Sequence, residues 1–341
     1  MENKKVIFSI ILGDIIGFKN GEWSTKYNEQ RITYENSLEL LFEFISLGGI
    51  NNIDITNWET SINSVIISSL YKIIKNNADE IIIDKFKKEF TNIVEKNTSI
   101  PNIGIDISME MSIKNYFDTT YSINSSEGNG AVWCSIIGLF EFKLERIIDL
   151  SINLCKLVYS SPYGYLGGMT SAYFTFLAKN KVPINNWVFK LIKLLKSKKI
   201  KKHIGKSDNE KSDYMGFINM WTKYLETRFN EGSPIITKST TNVLFRSKYY
   251  YDNFAQIIGT KKIIGKTGCD ACIVAYDSLL DSGNVWEKLV IYSMLNPGDT
   301  NVTGSLASCW YSILYGDENI PKHFFDEATN GVNEKFFSDV N

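Results

Sequence analysis

The sequence predicts an all-α fold, laid out as a single multi-helix domain over residues 1–341. Three observations carry that prediction. Apolar residues recur at helical offsets through most of the chain, and clean alternation of period two over several residues is scarce. The connections are short and rich in Asn, Gly, Ser and Asp, and six prolines with no Pro/Gly/Ser-rich linker leave no obvious domain boundary. The bulk composition, 44% hydrophobic and 22% charged, is that of an ordinary globular protein able to bury a large core without disulfides or structural metal.

The elements follow in chain order. Ile62, Val65, Ile66, Leu70, Ile73 and Ile74 fall on one helical stripe, and Phe86, Phe90, Ile93 and Val94 repeat it. Isoleucine alone would favour strands, so here periodicity outweighs propensity. Leu144, Ile147, Ile148 and Cys155 form the next stripe, then Trp187, Leu191, Leu194 and Leu195. Tyr276, Leu279 and Leu280 mark another, and Leu306, Trp310, Ile313 and Leu314 the last. The best candidate for a break is the lysine-rich polar stretch from Ser197 to Ser212. The final ~20 residues are expected to fray, as chain ends do.

Charge and rare residues exclude several functions. Lysine plus arginine is 37 and aspartate plus glutamate is 38, a net charge of −1 that argues against a dedicated nucleic-acid binder. Only two histidines exist, His203 and His323, so a three-histidine zinc site is impossible and a catalytic triad has two candidates for its base. Five cysteines, Cys134, Cys155, Cys269, Cys272 and Cys309, sit in apolar segments without a framework spacing, which fits reduced thiols. Sequons at Asn97, Asn124 and Asn301 carry meaning only in a secreted chain. Lys4-Lys5 and the apolar run Val6 to Leu12 imitate a signal peptide, but Asp14 interrupts it and no cleavage site follows. No run approaches the ~18 apolar residues of a membrane span. A cytoplasmic protein, monomeric and without a membrane span, is the expectation.

Five local patterns have both a chemical and a plain reading. Gly259 to Thr267 resembles a phosphate-binding loop, yet five residues rather than four separate Gly259 from Gly265-Lys266-Thr267, and no strand precedes it. Cys269-Asp270-Ala271-Cys272 has redox spacing without a βαβ context, and reads as two packed thiols at a helix start. Lys190 to Lys206 carries a basic amphipathic run that either meets an anionic partner or forms a solvated face. Glu127 to Ala131 and Pro297 to Gly304 are glycine-bounded loops leading into apolar segments. Such loops present free N–H groups to anions, and ordinary helix caps look the same.

Taken together and in order, these clusters resemble the ADP-ribosylglycohydrolase family, above all its ADP-ribosylarginine hydrolase branch. Gly13-Asp14-Ile15-Ile16-Gly17 and Asn20-Gly21-Glu22-Trp23 are similar to the family's G-D-x-x-G and N-G-x-W. Leu47-Gly48-Gly49, Asp54 to Trp58, Gly128-Asn129-Gly130-Ala131 and Ile137-Gly138-Leu139 follow in register. Pro162 to Gly167 resembles P-T-G-Y-L-G, and Gly265 to Ala271, Ala275-Tyr276-Asp277, Gly283 to Trp286, Gly298-Asp299 and Tyr315-Gly316 complete the series. The resemblance spans roughly residues 6–321 and implies an orthogonal multi-helix fold. It implies hydrolysis of the bond between ADP-ribose and a protein side chain, with two magnesium ions held by the motifs S-D-D-T and D-S-D-S.

The sequence departs from that pattern at the metal site. The first motif reads Ser61-Ile62-Asn63-Ser64 and the second Asp299-Thr300-Asn301-Val302, so Asp299 alone survives of four carboxylates. Asn63 and Asn301 offer amide oxygens, while Ile62 and Val302 offer nothing. The resemblance therefore implies magnesium absent or held at a single site. The acid after the family's tryptophan is replaced by Ser24, leaving Glu22 and Asp299 as the candidates for catalysis. Ligand binding is assigned to Gly128, Asn129 and Gly130. Tyr159 either stacks on the ligand or fills the pocket, and Tyr165 either touches ligand or packs. Asp14 and Asp270 read as helix braces. Family histidines are replaced at Tyr159, Ser160, Ser161, Cys269 and Asn296. The expected function is an ADP-ribose or ADP-ribosylated-protein binder with hydrolysis weak or lost. The alternatives are a one-metal or rearranged hydrolase and an interaction protein with a closed cleft.

Overall fold

A first helix, α1 (Asn3–Phe18), carries aliphatic residues on every face and is buried from Val6 to Phe18 except at Phe8. A helix apolar all round belongs in the middle of its domain. In the computed structural model, which describes residues 3–26, 34–76, 81–97, 126–258 and 261–330, other helices surround it. Next come α2 (Tyr34–Ser46), α3 (Ile62–Asn76), α4 (Ile82–Asn97) and α5 (Asn129–Ser135). They are followed by α6 (Leu144–Cys155), α7 (Pro162–Lys179), α8 (Trp187–Leu195) and α9 (Asp208–Arg228). The last are α10 (Val243–Asn253), α11 (Gly268–Ser282), α12 (Trp286–Met294), α13 (Thr300–Tyr315) and α14 (Lys322–Asn330). The predicted helical stripes fall in α3, α4, α6, α8, α11 and α13, so the all-α reading holds.

Strands are confined, among the described residues, to two small antiparallel hairpins. One pairs β1 (Phe229–Asn230) with β2 (Ser233–Pro234), and the other pairs β3 (Gln256–Ile258) with β4 (Lys261–Ile263).

The contact that organises the site is α1 against α13. Glycine makes it possible. A Cβ on Gly17 would lie 2.4 Å from the Thr300 carbonyl oxygen, so α1 meets α13 backbone to backbone. Thr300 Oγ1 seals the crossing by donating to the Gly17 carbonyl at 2.5 Å. α1 thereby holds Asp14 beside the first turn of α13.

α7 supplies a second axis. Phe174 packs its ring against those of Trp187, Trp221, Tyr276 and Trp310, joining α8, α9, α11 and α13 through aromatic contacts of 5.2–5.6 Å. The lysine-rich stretch after α8 is tied back to α6 by Lys202 and His203 on Asp149, at 2.9 and 2.8 Å, and by Lys199 on Glu145. Within the last twenty residues, α14 buries Phe324 and Ala328. Residues 331–341, Gly259 and the sequon at Asn124 lie outside the described residues.

Candidate functional site

Three chain segments meet at one junction, and each leads into a helix. The loop before α5 is joined to the one before α11 by an antiparallel bridge between Glu127 and Thr267 and by Gly128 N donating to the Lys266 carbonyl at 2.8 Å. The latter segment is joined to the loop before α13 by a parallel bridge between Ile264 and Gly298, with Asp299 N on the Ile264 carbonyl at 2.7 Å. The stretch that imitates a phosphate loop is preceded by a strand after all, β3, but that strand turns back into β4 as a hairpin, and the stretch ends as a helix start. Thr267 caps α11 in a capping box with Asp270, whose Oδ2 also accepts from Gly265 N at 2.7 Å. Gly265 holds φ +73° there, a conformation that favours glycine. Burial raises the Asp270 carboxyl to about 7 even though Thr267 and Gly265 donate to it.

Beside the junction lies Asp14, fully buried and surrounded by neutral donors. Its Oδ1 accepts from Ser61 Oγ at 2.6 Å and Asn301 Nδ2 at 3.3 Å; its Oδ2 accepts from Ser64 Oγ at 2.5 Å and Ser61 N at 2.9 Å. Burial raises its carboxyl above the ordinary range, and the bonds from Ser61, Ser64 and Asn301 oppose that shift. Ser61 also caps α3, accepting from Asn63 N at 3.2 Å. The helix brace read at Asp14 therefore spans three helices.

Asn63 is committed on both sides. Its Nδ2 donates to Asn129 Oδ1 at 2.9 Å, and its Oδ1 accepts from Trp133 Nε1 at 2.8 Å. The amide oxygen that the sequence offers at Asn63 is taken by an indole. At Asn301 the amide nitrogen faces Asp14 and also reaches Ser61 Oγ at 3.3 Å. Ile62 and Val302 are buried, and a Cβ on Gly128 would stand 3.1 Å from Val302 Cγ1.

Tyr159 is buried and stacks on Trp133, with centroids 5.8 Å apart and planes at 26°. A side chain on Gly130 would meet that ring at 2.6 Å, so the glycine lets tyrosine and loop approach each other. Tyr165, also buried, donates its hydroxyl to Glu210 Oε1 at 2.7 Å beneath the Lys156 ammonium, which lies 4.5 Å from the ring. Burial and Glu210 both raise that phenol well above its ordinary value.

The two proposed acids part company. Glu22 sits on the turn Glu22–Thr25 with its side chain 65% exposed and paired with Lys19 at 2.7 Å. Its neighbours in the motif brace the fold. Asn20 Oδ1 accepts from Glu59 N at 2.7 Å, and Trp23 packs edge-on against Trp58 at 5.6 Å. Asp299 stands at the junction as the residue before α13, with Oδ2 3.4 Å from Lys266 Nζ. Among the described residues, no three His, Cys, Asp or Glu side chains gather as a metal centre.

The family model for ADP-ribosylglycohydrolases matches residues 11–335 of this chain. The chain belongs to the ADP-ribosylglycohydrolase family. A protein of Acanthamoeba polyphaga mimivirus, provisionally named an ADP-ribosyl glycohydrolase, is 30% identical over 96% of this chain and 67% of its own length. The ADP-ribosylhydrolase ARH1 of Dictyostelium discoideum is 26% identical over 91% of this chain and 86% of its own. Within this member of the family, the fold brings together Gly128, Asn129, Gly130, Tyr159, Ser61, Ile62, Asn63, Asp299, Asn301 and Val302. It turns Glu22 to solvent and the Tyr165 hydroxyl toward Glu210.

Sequence reasoning missed two residues here. Trp133 carried a signal, since a buried indole N–H seeks an acceptor. Lys266 was in view only as part of a phosphate loop of the wrong length.

Proposed function

We propose that this ADP-ribosylglycohydrolase-family protein binds ADP-ribose, free or on a protein side chain, with hydrolysis of the glycosidic bond weak or lost. One observation carries the reading: at the positions that would hold metal, the polar side chains are already engaged by neighbouring protein groups and the others are apolar. A pair of magnesium ions needs a full set of oxygen ligands with compensating negative charge. Asn63 is spent on Asn129 and Trp133, and every Asp14 oxygen accepts from Ser61, Ser64 or Asn301. Ile62 and Val302 have no donor atom, and Asp299 faces an ammonium. This donor set does not fit two magnesium ions. The loop Gly128-Asn129-Gly130, by contrast, is kept and braced, which supports retained ligand binding. Membership of the ADP-ribosylarginine hydrolase branch belongs to the same proposal, as does a monomeric, cytoplasmic protein.

A second reading is a closed cleft in a protein that works by interaction. The packing of Tyr159 against Gly130 and Trp133 favours it.

Calorimetry with ADP-ribose, with and without Mg²⁺, separates these readings. Metal-independent binding together with no release from arginine- or serine-linked substrates supports the binder. Tight binding that requires Mg²⁺ overturns it in favour of a one-metal hydrolase, and silence at millimolar ligand leaves the closed cleft. Combining Ile62→Asp, Asn63→Asp, Asn301→Asp and Val302→Ser should create Mg²⁺ binding on the same scaffold, readable as a metal-dependent rise in Tm.

A further inference from the structure

We propose that Lys266 supplies, as an ammonium, the positive charge that balances Asp299, and that it binds the diphosphate of the ligand in place of metal. The inference rests on the ADP-ribose reading only for the identity of the ligand. A phosphate approaching this junction without a cation would meet the Asp299 carboxylate, and like charges repel. Lys266 Nζ stands 3.4 Å from Asp299 Oδ2, with side chains 19% and 12% exposed, so the two charges offset each other at a partly exposed pair.

The backbone of Lys266 is fixed by its surroundings. Its carbonyl accepts from Gly128 N, the preceding Gly265 is held by Asp270, and the following Thr267 caps α11. A lysine carries a point charge on a flexible stem, suited to shifting between two anions. The loop that the family resemblance assigns to ligand binding starts at Gly128, the residue that bonds to Lys266. Ammonium and loop are therefore set as one unit. Glu127 and Asp270 are the other acids of the junction; Glu127 is buried, and Asp270 has both oxygens accepting from Gly265 and Thr267.

Opposite effects of two substitutions test the proposal. Calorimetry in EDTA would compare wild type with Lys266→Met, Lys266→Arg and Asp299→Asn, using ADP-ribose and inorganic pyrophosphate as probes. We expect Lys266→Met to weaken both ligands tenfold or more and Lys266→Arg to retain affinity within about threefold. Asp299→Asn removes the competitor for the ammonium and should tighten both severalfold. A residual metal ligand would behave in the reverse way, so weaker binding by Asp299→Asn overturns the proposal. Unchanged binding by Lys266→Met, a strict need for Mg²⁺, or no binding of either probe also overturns it. Pyrophosphate bound in a Lys266-dependent way while ADP-ribose stays silent would leave the proposal standing and sink the ADP-ribose reading instead.

Discussion

One helix, α11, carries two buried aspartates two turns apart, and the protein treats them in opposite ways. Asp270, at the site end, is held by neutral donors from Thr267 and Gly265, and burial raises its carboxyl to about 7. Asp277, farther along, is gripped by Arg228 Nε and Arg246 Nη1, each at 2.6 Å, and by the hydroxyls of Tyr224 and Tyr250, each at 2.7 Å. Burial would raise Asp277 too, but the two guanidinium groups outweigh it and hold the carboxyl below its ordinary value. Asp281 completes the cage on Arg228 at 2.9 Å and on Arg246. Asp14 belongs with Asp270, being enclosed by serines and an asparagine. The difference shows how charge is distributed: the structural cage keeps formal ion pairs, while Asp14 and Asp270 are braced by neutral hydrogen bonds.

The sharpest way to break this contrast is to make one substitution in the cage. Asp277→Asn leaves two buried guanidinium groups facing each other with only Asp281 to compensate them. Removing one partner of a buried ion pair costs ~3–5 kcal/mol. Denaturant unfolding of the variant should show that loss, and a cost under ~1 kcal/mol would mean the cage is solvated or dispensable.

A second, smaller effect should appear with pH. Asp270 has a folded value of about 7, above the 3.8 of the ordinary group. Its contribution to stability is therefore full below about 4 and is lost as pH rises through about 7, on the order of 2–4 kcal/mol across the window. Asp277 runs the other way, since its value is depressed: its contribution is present above about 4 and is lost as pH falls. The difference in unfolding free energy between wild type and Asp270→Asn should decline between pH 4 and 7. A flat difference would show Asp270 ionised throughout that range.

How much of this was readable from sequence depends on distance along the chain. The stripe Ile62 to Ile74 made α3 legible, because helix periodicity is written within a few residues. The motif order made the departures from the family's pattern legible, because Ser61 to Ser64 and Asp299 to Val302 are contiguous. The arginine cage was not legible. Arg228 and Asp277 are 49 residues apart, and nothing local marks either as a partner. Likewise Asn63 reads as a spare amide until Asn129, 66 residues on, and Trp133 take up its atoms. Lys266 was misleading for a related reason: its neighbours imitate a phosphate loop, while its ion-pair partner Asp299 lies in a different segment.

The finest test of the contrast removes one neutral donor from each carboxylate. Ser64→Ala deletes one of the four hydrogen bonds to Asp14, and Tyr250→Phe deletes one of the four to Asp277. Each should cost ~1 kcal/mol at neutral pH, the usual worth of a hydrogen bond. Their pH signatures should differ. Asp14 has no cation among its donors, so losing Ser64 raises its carboxyl further, and the cost of Ser64→Ala should shrink as acid neutralises the group. Asp277 keeps two guanidinium groups after Tyr250→Phe and stays ionised, so that cost should be constant between about pH 5 and 8. Chemical unfolding of both variants across that range would decide the matter. Parallel curves would mean that Asp14 stays as firmly ionised as Asp277 across that range, its neutral donors outweighing burial.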